Sequence, residues 1–239
     1  MYYRERLDKI IEILKVKNKA SVHYLAKQLF VSEPTIRRDL NVLENEGKIK
    51  RTYGGAVISD ILNIEIPYES RFRVNTAQKD FIAKIACEKV EDGQVLFLDA
   101  SSTAQALVKE LANFQNLTVI TNSPKTSLML ADMQIKCFCT GGLLLKNSIA
   151  YVGALAEKFI SNFNADIFFF SCRGISSDGI LTDSSIEESE IRKVMMMHAK
   201  KKIFLCDNSK FNKEYMYRLA HVDEVDEIIS NVKIPDYKK

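Results

Sequence analysis

Apolar residues in the amino-terminal part of the chain recur at helical spacing. Leu7, Ile10, Ile11 and Leu14 stand at i, i+3, i+4 and i+7 and predict a first helix. Ser21 is placed to cap a second, in which Val22, Leu25, Ala26 and Leu29 repeat the spacing. Only Phe30 and Val31 separate that helix from Ser32, the expected cap of a third, whose Ile36, Leu40 and Leu43 share one face. Gly47 should stop the third helix, and a short basic hairpin follows with Gly54-Gly55 at its bend. Helix, helix, tight turn, helix and hairpin make the pattern of a winged helix-turn-helix.

The face of the third helix opposite its apolar stripe carries Pro34, Arg38, Asn41 and Asn45, flanked by Thr35 and Arg37. Such a face suits the DNA major groove. Arginine donates in bidentate fashion to guanine, asparagine pairs with adenine, and a hydroxyl or N–H at the helix start, here at Ser32, holds a phosphate. Lys48, Lys50 and Arg51 in the hairpin are candidates for phosphate contact. The plainer alternative, a solvated basic face on a surface helix, weakens once the two preceding helices are counted.

Further along, the pattern becomes an alternation of helices with continuous apolar strands. Between Ser59 and Asn75 the periodicity lapses around Pro67, which reads as a linker, with EIPYESRFRVN placed to strap across the following domain. Helices are expected near 76–90, 103–112, 124–132, 153–162 and 185–198. Strands are expected at VLFLD, LTVIT, IKCFCT, DIFFFS, KIFLC and VDEIIS. This is the pattern of a mostly parallel sheet covered on both faces. The expected organisation is therefore a DNA-binding domain over 1–58, a linker over 59–75 and an α/β domain over 76–239.

Charge sharpens that division. Residues 1–58 hold 12 Lys and Arg against 7 Asp and Glu, whereas residues 59–239 hold 22 against 24. A basic head on a slightly acidic body fits phosphate attraction confined to one domain. The opening MYYRERLDK is charged rather than apolar, and no apolar run approaches the ~18–20 residues of a membrane span, so a cytoplasmic chain with no membrane partner is expected. The five cysteines (Cys87, Cys137, Cys139, Cys172, Cys206) lie mostly in apolar runs and read as buried free thiols. Cys137 and Cys139 lack a second pair or a nearby histidine, so neither a metal nor another cofactor is expected.

In parallel sheets ligands bind beyond the carboxyl ends of the strands. Asp99 ends the first strand, followed by Ser101, Ser102 and Thr103 at a helix start. Thr121, Asn122 and Ser123 follow the second strand, and Gly141 and Gly142 with Lys146 follow the third. Arg173 and Gly174 follow the fourth, and Asp207, Ser209 and Lys210 follow the last long one. A single serine there would be an ordinary helix cap. Five polar, glycine-bearing or cationic strand ends instead suggest one pocket for an anionic ligand.

The run SEPTIRRDL followed by LENEGKIKRTYGGA resembles the DNA-binding domain of the DeoR family of bacterial sugar-metabolism repressors. DASST, TNS, GG, RGI and DNSKF extend the resemblance over nearly the whole chain. It implies a winged helix-turn-helix joined to a sensor domain of the ribose-5-phosphate isomerase and CoA-transferase-like fold. It also implies a double-stranded operator as partner, a phosphorylated sugar or related metabolite as effector, and no enzymatic activity. Two positions depart from the pattern: Ala100-Ser101 stand where a glycine is frequent, and Lys146 where arginine is. A sugar-phosphate isomerase would need a carboxylate base and a charge stabiliser, for which Asp183, Glu187 and Lys210 are candidates, but the loop CRGISSDG lacks the acidic DGAD-type run. A regulator with a vestigial pocket that answers to a partner protein is the third reading. Pairing on symmetric DNA predicts a homodimer or homotetramer held through the carboxy-terminal domain.

Overall fold

The structure, a computed structural model, describes residues 2–17, 19–58 and 68–237. It divides into two compact units, Met1–Ile66 and Pro67–Lys239.

The first unit contains α1 (Tyr3–Lys17), β1 (Lys19–Ser21), α2 (Val22–Leu29), α3 (Glu33–Asn45), β2 (Ile49–Thr52) and β3 (Gly55–Ile58). The apolar stripes meet in one core of Leu7, Ile10, Leu14, Val22, Leu25, Leu29, Ile36, Leu40, Leu43 and Ile49. Ser21 caps α2 by accepting from the Tyr24 N–H, and Phe30 ends that helix in the left-handed conformation at φ 54°. One element was not legible in the sequence. Three residues, Lys19–Ser21, pair antiparallel with β3 and make the wing a three-stranded sheet, β1-β3-β2. Gly55 permits this, because a Cβ there would lie 2.3 Å from the Ala20 carbonyl oxygen.

The second unit begins with α4 (Tyr68–Arg73) and α5 (Thr76–Cys87). Next come β4 (Val95–Leu98), α6 (Ser102–Leu107), which runs on into a 3₁₀ turn, β5 (Thr118–Thr121), α7 (Pro124–Asp132) and β6 (Lys136–Cys139). A hairpin follows, β7 (Leu143–Leu145) and β8 (Ala150–Val152), then α8 (Ala154–Ile160) and β9 (Ala165–Phe170). The remaining elements are β10 (Gly174–Ile175), β11 (Ile180–Asp183), α9 (Ile186–Met197), β12 (Ala199–Cys206), β13 (Tyr217–His221) and β14 (Glu227–Ser230).

Six strands form one parallel sheet in the order β14-β12-β9-β4-β5-β6. Alternation along each strand sends side chains to two cores, as the pleat requires. Leu96, Leu98, Val119, Phe169 and Leu205 pack with Ile82, Leu107 and Leu130 of α5, α6 and α7. Phe97, Ile120, Phe168, Phe170 and Phe204 pack with Ile160, Ile191 and Met195 of α8 and α9. The sheet is thus wound on both faces. The chain moves outward from β4 through β5 to β6, then returns to the far side of β4 at β9. The switch point, where a ligand crevice opens in such sheets, lies between β4 and β9.

Residues 68–75, the later part of the segment expected to strap across the second domain, lie with the second unit, to which the Arg71 and Val74 carbonyls and Asn75 hydrogen-bond, while 59–67 lie outside the described residues. The loop CRGISSDG instead contains β10 and leads into β11, and the two join β13 in a small antiparallel sheet. The segment after Gly141-Gly142 is the β7–β8 hairpin. Each of these strands is two to five residues long, too short for periodicity to register.

Candidate nucleic-acid interface and effector site

Helix α3 is capped as its sequence requires. The Ser32 hydroxyl accepts from the Thr35 N–H at 3.4 Å and lies 2.9 Å from the Thr35 hydroxyl, with Pro34 in the first turn. Ile36, Leu40 and Leu43 are fully buried. Ser32, Pro34, Arg37, Arg38 and Asn41 are exposed and Thr35 half-buried, so one solvent face holds the expected set. Arg37 reaches Glu33 at 3.3 Å, a weak surface pair open to exchange for a phosphate or base.

In the wing, Lys50 is exposed and Lys48 is paired with Glu46 at 2.7 Å. Arg51 makes contacts within the unit. Its guanidinium donates to the Asn41 side-chain oxygen, and its N–H donates to Glu44 at 2.7 Å. It therefore holds Asn41 in place on α3, and through Glu44 ties the wing to the helix. Sequence spacing could not place residues ten apart side by side.

At the switch point of the second unit lies a buried charge network. Asp99 is wholly buried, and its oxygens are committed. Oδ1 accepts from the Ser101 N–H at 3.2 Å and the Ser101 hydroxyl at 2.6 Å; Oδ2 accepts from Arg192 Nε at 2.7 Å and the Ser171 N–H at 3.4 Å. Arg192, absent from the sequence reading, also reaches Asp183 at 2.9 Å and Glu188 at 3.5 Å. Burial disfavours its charge, but Asp183, Asp99 and Glu188 outweigh that and hold it above the usual guanidinium range. Burial pushes the Glu188 carboxyl up, opposed by Arg192. Asp99 and Ser101 thus build the site from beneath: the Ser101 hydroxyl also accepts from the Ala104 N–H at 3.1 Å and is spent as the helix cap.

Ser102 and Thr103 stand beside this network, both buried, with the Ser102 hydroxyl 3.5 Å from the Arg71 carbonyl of α4. Across the switch point, Lys210 donates to the Ser171 hydroxyl, which donates in turn to the Leu205 carbonyl at 2.6 Å. Asp207 is buried beneath Lys210 and accepts from the Ser209 N–H at 2.9 Å and the Ser209 hydroxyl. Burial raises its pKa, but Lys210, the Ser209 bonds and Lys79 bring it below the usual carboxylate range. Arg173 is half-buried, its side chain 9% exposed and its Nε 3.9 Å from Asp183; desolvation and Arg71 push its pKa below the ordinary value.

At the end of β5, Thr121 accepts from the Ser123 N–H at 3.1 Å, and Ser123 caps α7 by accepting from the Thr126 N–H at 3.2 Å. Asn122 donates to the Tyr151 carbonyl at 3.0 Å, pinning the β7–β8 hairpin over this end of the sheet. Four buried side-chain oxygens on the elements around these strand ends have no hydrogen-bond partner: Asn122 Oδ1 after β5, Thr126 Oγ1 in α7, Thr140 Oγ1 after β6 and Ser148 Oγ in the hairpin turn. Thr126, Thr140 and Ser148 carried no signal in the sequence, being isolated hydroxyls.

The glycines divide by role. Gly141 is open to solvent, whereas a Cβ on Gly142, at φ +119°, would meet the Val152 carbonyl at 2.7 Å. Gly142 serves the hairpin. A Cβ on Gly174 would lie 2.5 Å from the Lys213 carbonyl, so this glycine admits a neighbouring strand connection. Lys146 is exposed in the hairpin turn, two positions before the buried Ser148.

The five cysteines are free thiols: Cys172 and Cys206 are buried, and Cys87, Cys137 and Cys139 half-buried. Among the described residues no group of three or more His, Cys, Asp or Glu could hold a metal ion, and no helix is long and apolar enough to cross a membrane.

A helix-turn-helix head with a solvent-facing Arg–Asn surface, followed by a doubly wound sheet with polar strand ends, defines a DNA-binding regulator with a second, α/β domain. Residues 6–61 match the DeoR-like helix-turn-helix domain, and residues 74–232 match the DeoR C-terminal sensor domain. The chain is 37% identical to the HTH-type transcriptional regulator GolR of Listeria innocua, over 100% of this chain and 95% of that one. It is 35% identical to the L-fucose operon activator of Escherichia coli, over 95% of this chain and 94% of that one. Among solved structures, ribose 5-phosphate isomerase A of Methanocaldococcus jannaschii aligns with a TM-score of 0.44 at 20% identity, over 57% of this chain and 55% of that one. The chain belongs to the DeoR family of transcriptional regulators.

Proposed function

We propose that this protein represses a sugar-utilisation operon in the cytoplasm, as a homodimer or homotetramer, and leaves its operator when a phosphorylated sugar or related metabolite binds the second unit. The carrying observation is the set of buried, unpartnered oxygens on Asn122, Thr126, Thr140 and Ser148, in the loops after β5 and β6, in α7 and in the hairpin turn, in a chain with a DNA-reading head. Each such group costs about 1–3 kcal/mol when left unmade. A polyhydroxylated ligand, which both donates and accepts, is suited to satisfy several at once.

In this reading Ser102, Thr103 and Lys210 receive the phosphate, with Arg173 adding positive charge. Asn122, Thr126 and Thr140 meet sugar hydroxyls, and Gly141 allows close backbone approach. Asp99, Ser101 and Asp207 position these groups. The buried oxygens are covered by protein, so the ligand enters when the β7–β8 hairpin or α4 lifts. Release of DNA then requires that the ligand bind the DNA-incompetent arrangement more tightly than the competent one.

Isomerase chemistry has less support. It needs a carboxylate free to move a proton: of the two candidates Asp183 is buried and engaged with Arg192, while Glu187 is exposed and accepts from the Ser185 hydroxyl at 3.3 Å.

The test is operator binding by the full chain, using a DNA site selected from random duplexes, titrated with a panel of phosphorylated sugars. Release by one phosphosugar and not by its unphosphorylated parent is the expected result. If no panel member releases the DNA, or if the chain turns one over, the proposal fails.

A further inference from the structure

A buried lysine outside the expected site fastens the entry of the second unit. Lys79, on α5, is only 6% exposed, and its ammonium donates to the Val74 carbonyl at 2.8 Å and to the Arg71 carbonyl. Those carbonyls close the carboxy-terminal end of α4. The same short segment is held twice more by the pocket rim. Ser102 reaches the Arg71 carbonyl, and Asn75, in the left-handed conformation at φ 56°, donates to Asp207 at 3.1 Å and Ser209 at 3.3 Å. The piece of chain that leads in from the first unit is thus tied to two of the loops assigned above to the effector.

We propose that Lys79 is a clasp coupling this entry segment, residues 68–75, to the charge in the effector pocket: negative charge arriving beside Lys210 tightens it, and positive charge loosens it. The inference rests on the effector reading for its physiological meaning only.

The physical basis is an ammonium without a carboxylate in contact. Burial costs the charged form, and Lys210 adds repulsion; Asp207 offsets part of it, Arg71 of α4 adds to it, and Asp80 on α5 itself offsets a little. Together they bring the Lys79 pKa down from 10.5 to about 8. With the clasp open, Lys79 is hydrated and regains its ordinary value. The closed state therefore binds fewer protons between pH 8 and 10.5, and closing is favoured as pH rises through that window. A phosphate at Lys210 acts in the same direction at constant pH, by removing the repulsion.

Hydrogen exchange of the full chain, with no ligand added, tests this. Protection of peptides spanning residues 68–78, divided by the intrinsic exchange rate, should rise about tenfold between pH 7 and pH 9 in the wild type. Lys79→Met and Lys79→Arg should each give a flat profile, the first having no charge and the second none that titrates there. Lys210→Ala should raise protection at pH 7, and Asp207→Asn should lower it. A flat wild-type profile, or a slope that survives in both Lys79 variants, overturns the clasp. An unchanged Lys210→Ala chain overturns its coupling to the pocket. Because no phosphosugar takes part, failure of every phosphosugar to bind would count against the effector reading and leave this result standing.

Discussion

Arg6 and Asp39 form a two-toothed ion pair between α1 and α3, with Nε to Oδ2 at 2.6 Å and NH2 to Oδ1 at 3.1 Å. The Asp39 carboxylate is fully buried, whereas the Arg6 side chain keeps 12% exposure. Asp39 stands on the recognition helix between the inward Ile36 and Leu40 and the outward Arg38, so this pair sets how the helix is rotated about its axis. Its two ends are not equivalent. Arg6→Ala strands a carboxylate in the core and should cost about 3–5 kcal/mol, while Asp39→Ala leaves a guanidinium able to reach water and should cost less. Urea denaturation followed by exchange of α3 amides measures both; equal losses would contradict the asymmetry.

On the DNA side, Arg38→Ala should weaken binding to the selected operator by about 1–3 kcal/mol and relax sequence preference at one base pair. Lys50→Ala should weaken binding evenly across sequences and lower the salt slope by about one. Arg51→Ala should resemble Asn41→Ala rather than Lys50→Ala, because Arg51 holds the Asn41 amide. Salt-dependent affinities on matched and mismatched duplexes separate the two behaviours. If Arg51→Ala changes only the salt slope, its assignment as a support for Asn41 is wrong.

The sequence announced the head almost completely, because amphipathic helices with serine caps and a glycine stop repeat their signal over several turns. It also announced the parallel sheet, since strands such as DIFFFS are buried on both faces and read as continuous apolar runs. What it could not announce were contacts between residues far apart in number. Arg192 lies 93 positions from Asp99. On its helix it looks like any basic residue among glutamates, and only folding turns those charges inward. Lys79 was hidden in the same way, as one lysine on an amphipathic helix. The short strands β1, β7, β10 and β11 escaped because their pairing comes from neighbours rather than from their own composition.

Arg192 gives the sharpest stability prediction. Arg192→Met leaves Asp99, Asp183 and Glu188 buried without their shared cation, and should cost about 3–5 kcal/mol at pH 7. The deficit should shrink in mild acid, as the stranded carboxyls take up protons and lose their charge. Thermal denaturation of wild type and variant from pH 7 to pH 5 tests this. A deficit independent of pH would mean that lost packing, not stranded charge, is the cause.

Asp207 predicts a separate acid limb. Its folded pKa lies below the usual carboxylate range, opposed by burial but carried by Lys210, the Ser209 bonds and Lys79. A depressed carboxylate contributes stability that is present above its unfolded value and lost as pH falls through the folded one. Below about pH 4 the wild type should therefore lose more stability than Asp207→Asn does. Parallel acid titrations of the two chains check the sign, and identical limbs would remove Asp207 from the account.

The effector pocket separates from both the fold and the DNA face by three substitutions. Ser102→Ala removes a buried hydroxyl whose one contact, to the Arg71 carbonyl, is 3.5 Å long, so the fold should lose little. Lys210→Ala removes the cation held against Ser171. Both chains should bind operator DNA as the wild type does, because neither residue belongs to the first unit, and both should need at least tenfold more phosphosugar for release. Lys146→Ala should behave as wild type, since Lys146 is exposed in the hairpin turn and is given no ligand contact in this reading. Operator binding titrated with the releasing phosphosugar, run on all four chains, decides the matter. Should Lys146→Ala lose the response while Ser102→Ala and Lys210→Ala keep it, the phosphate belongs under the β7–β8 hairpin and not beside β4 and β9.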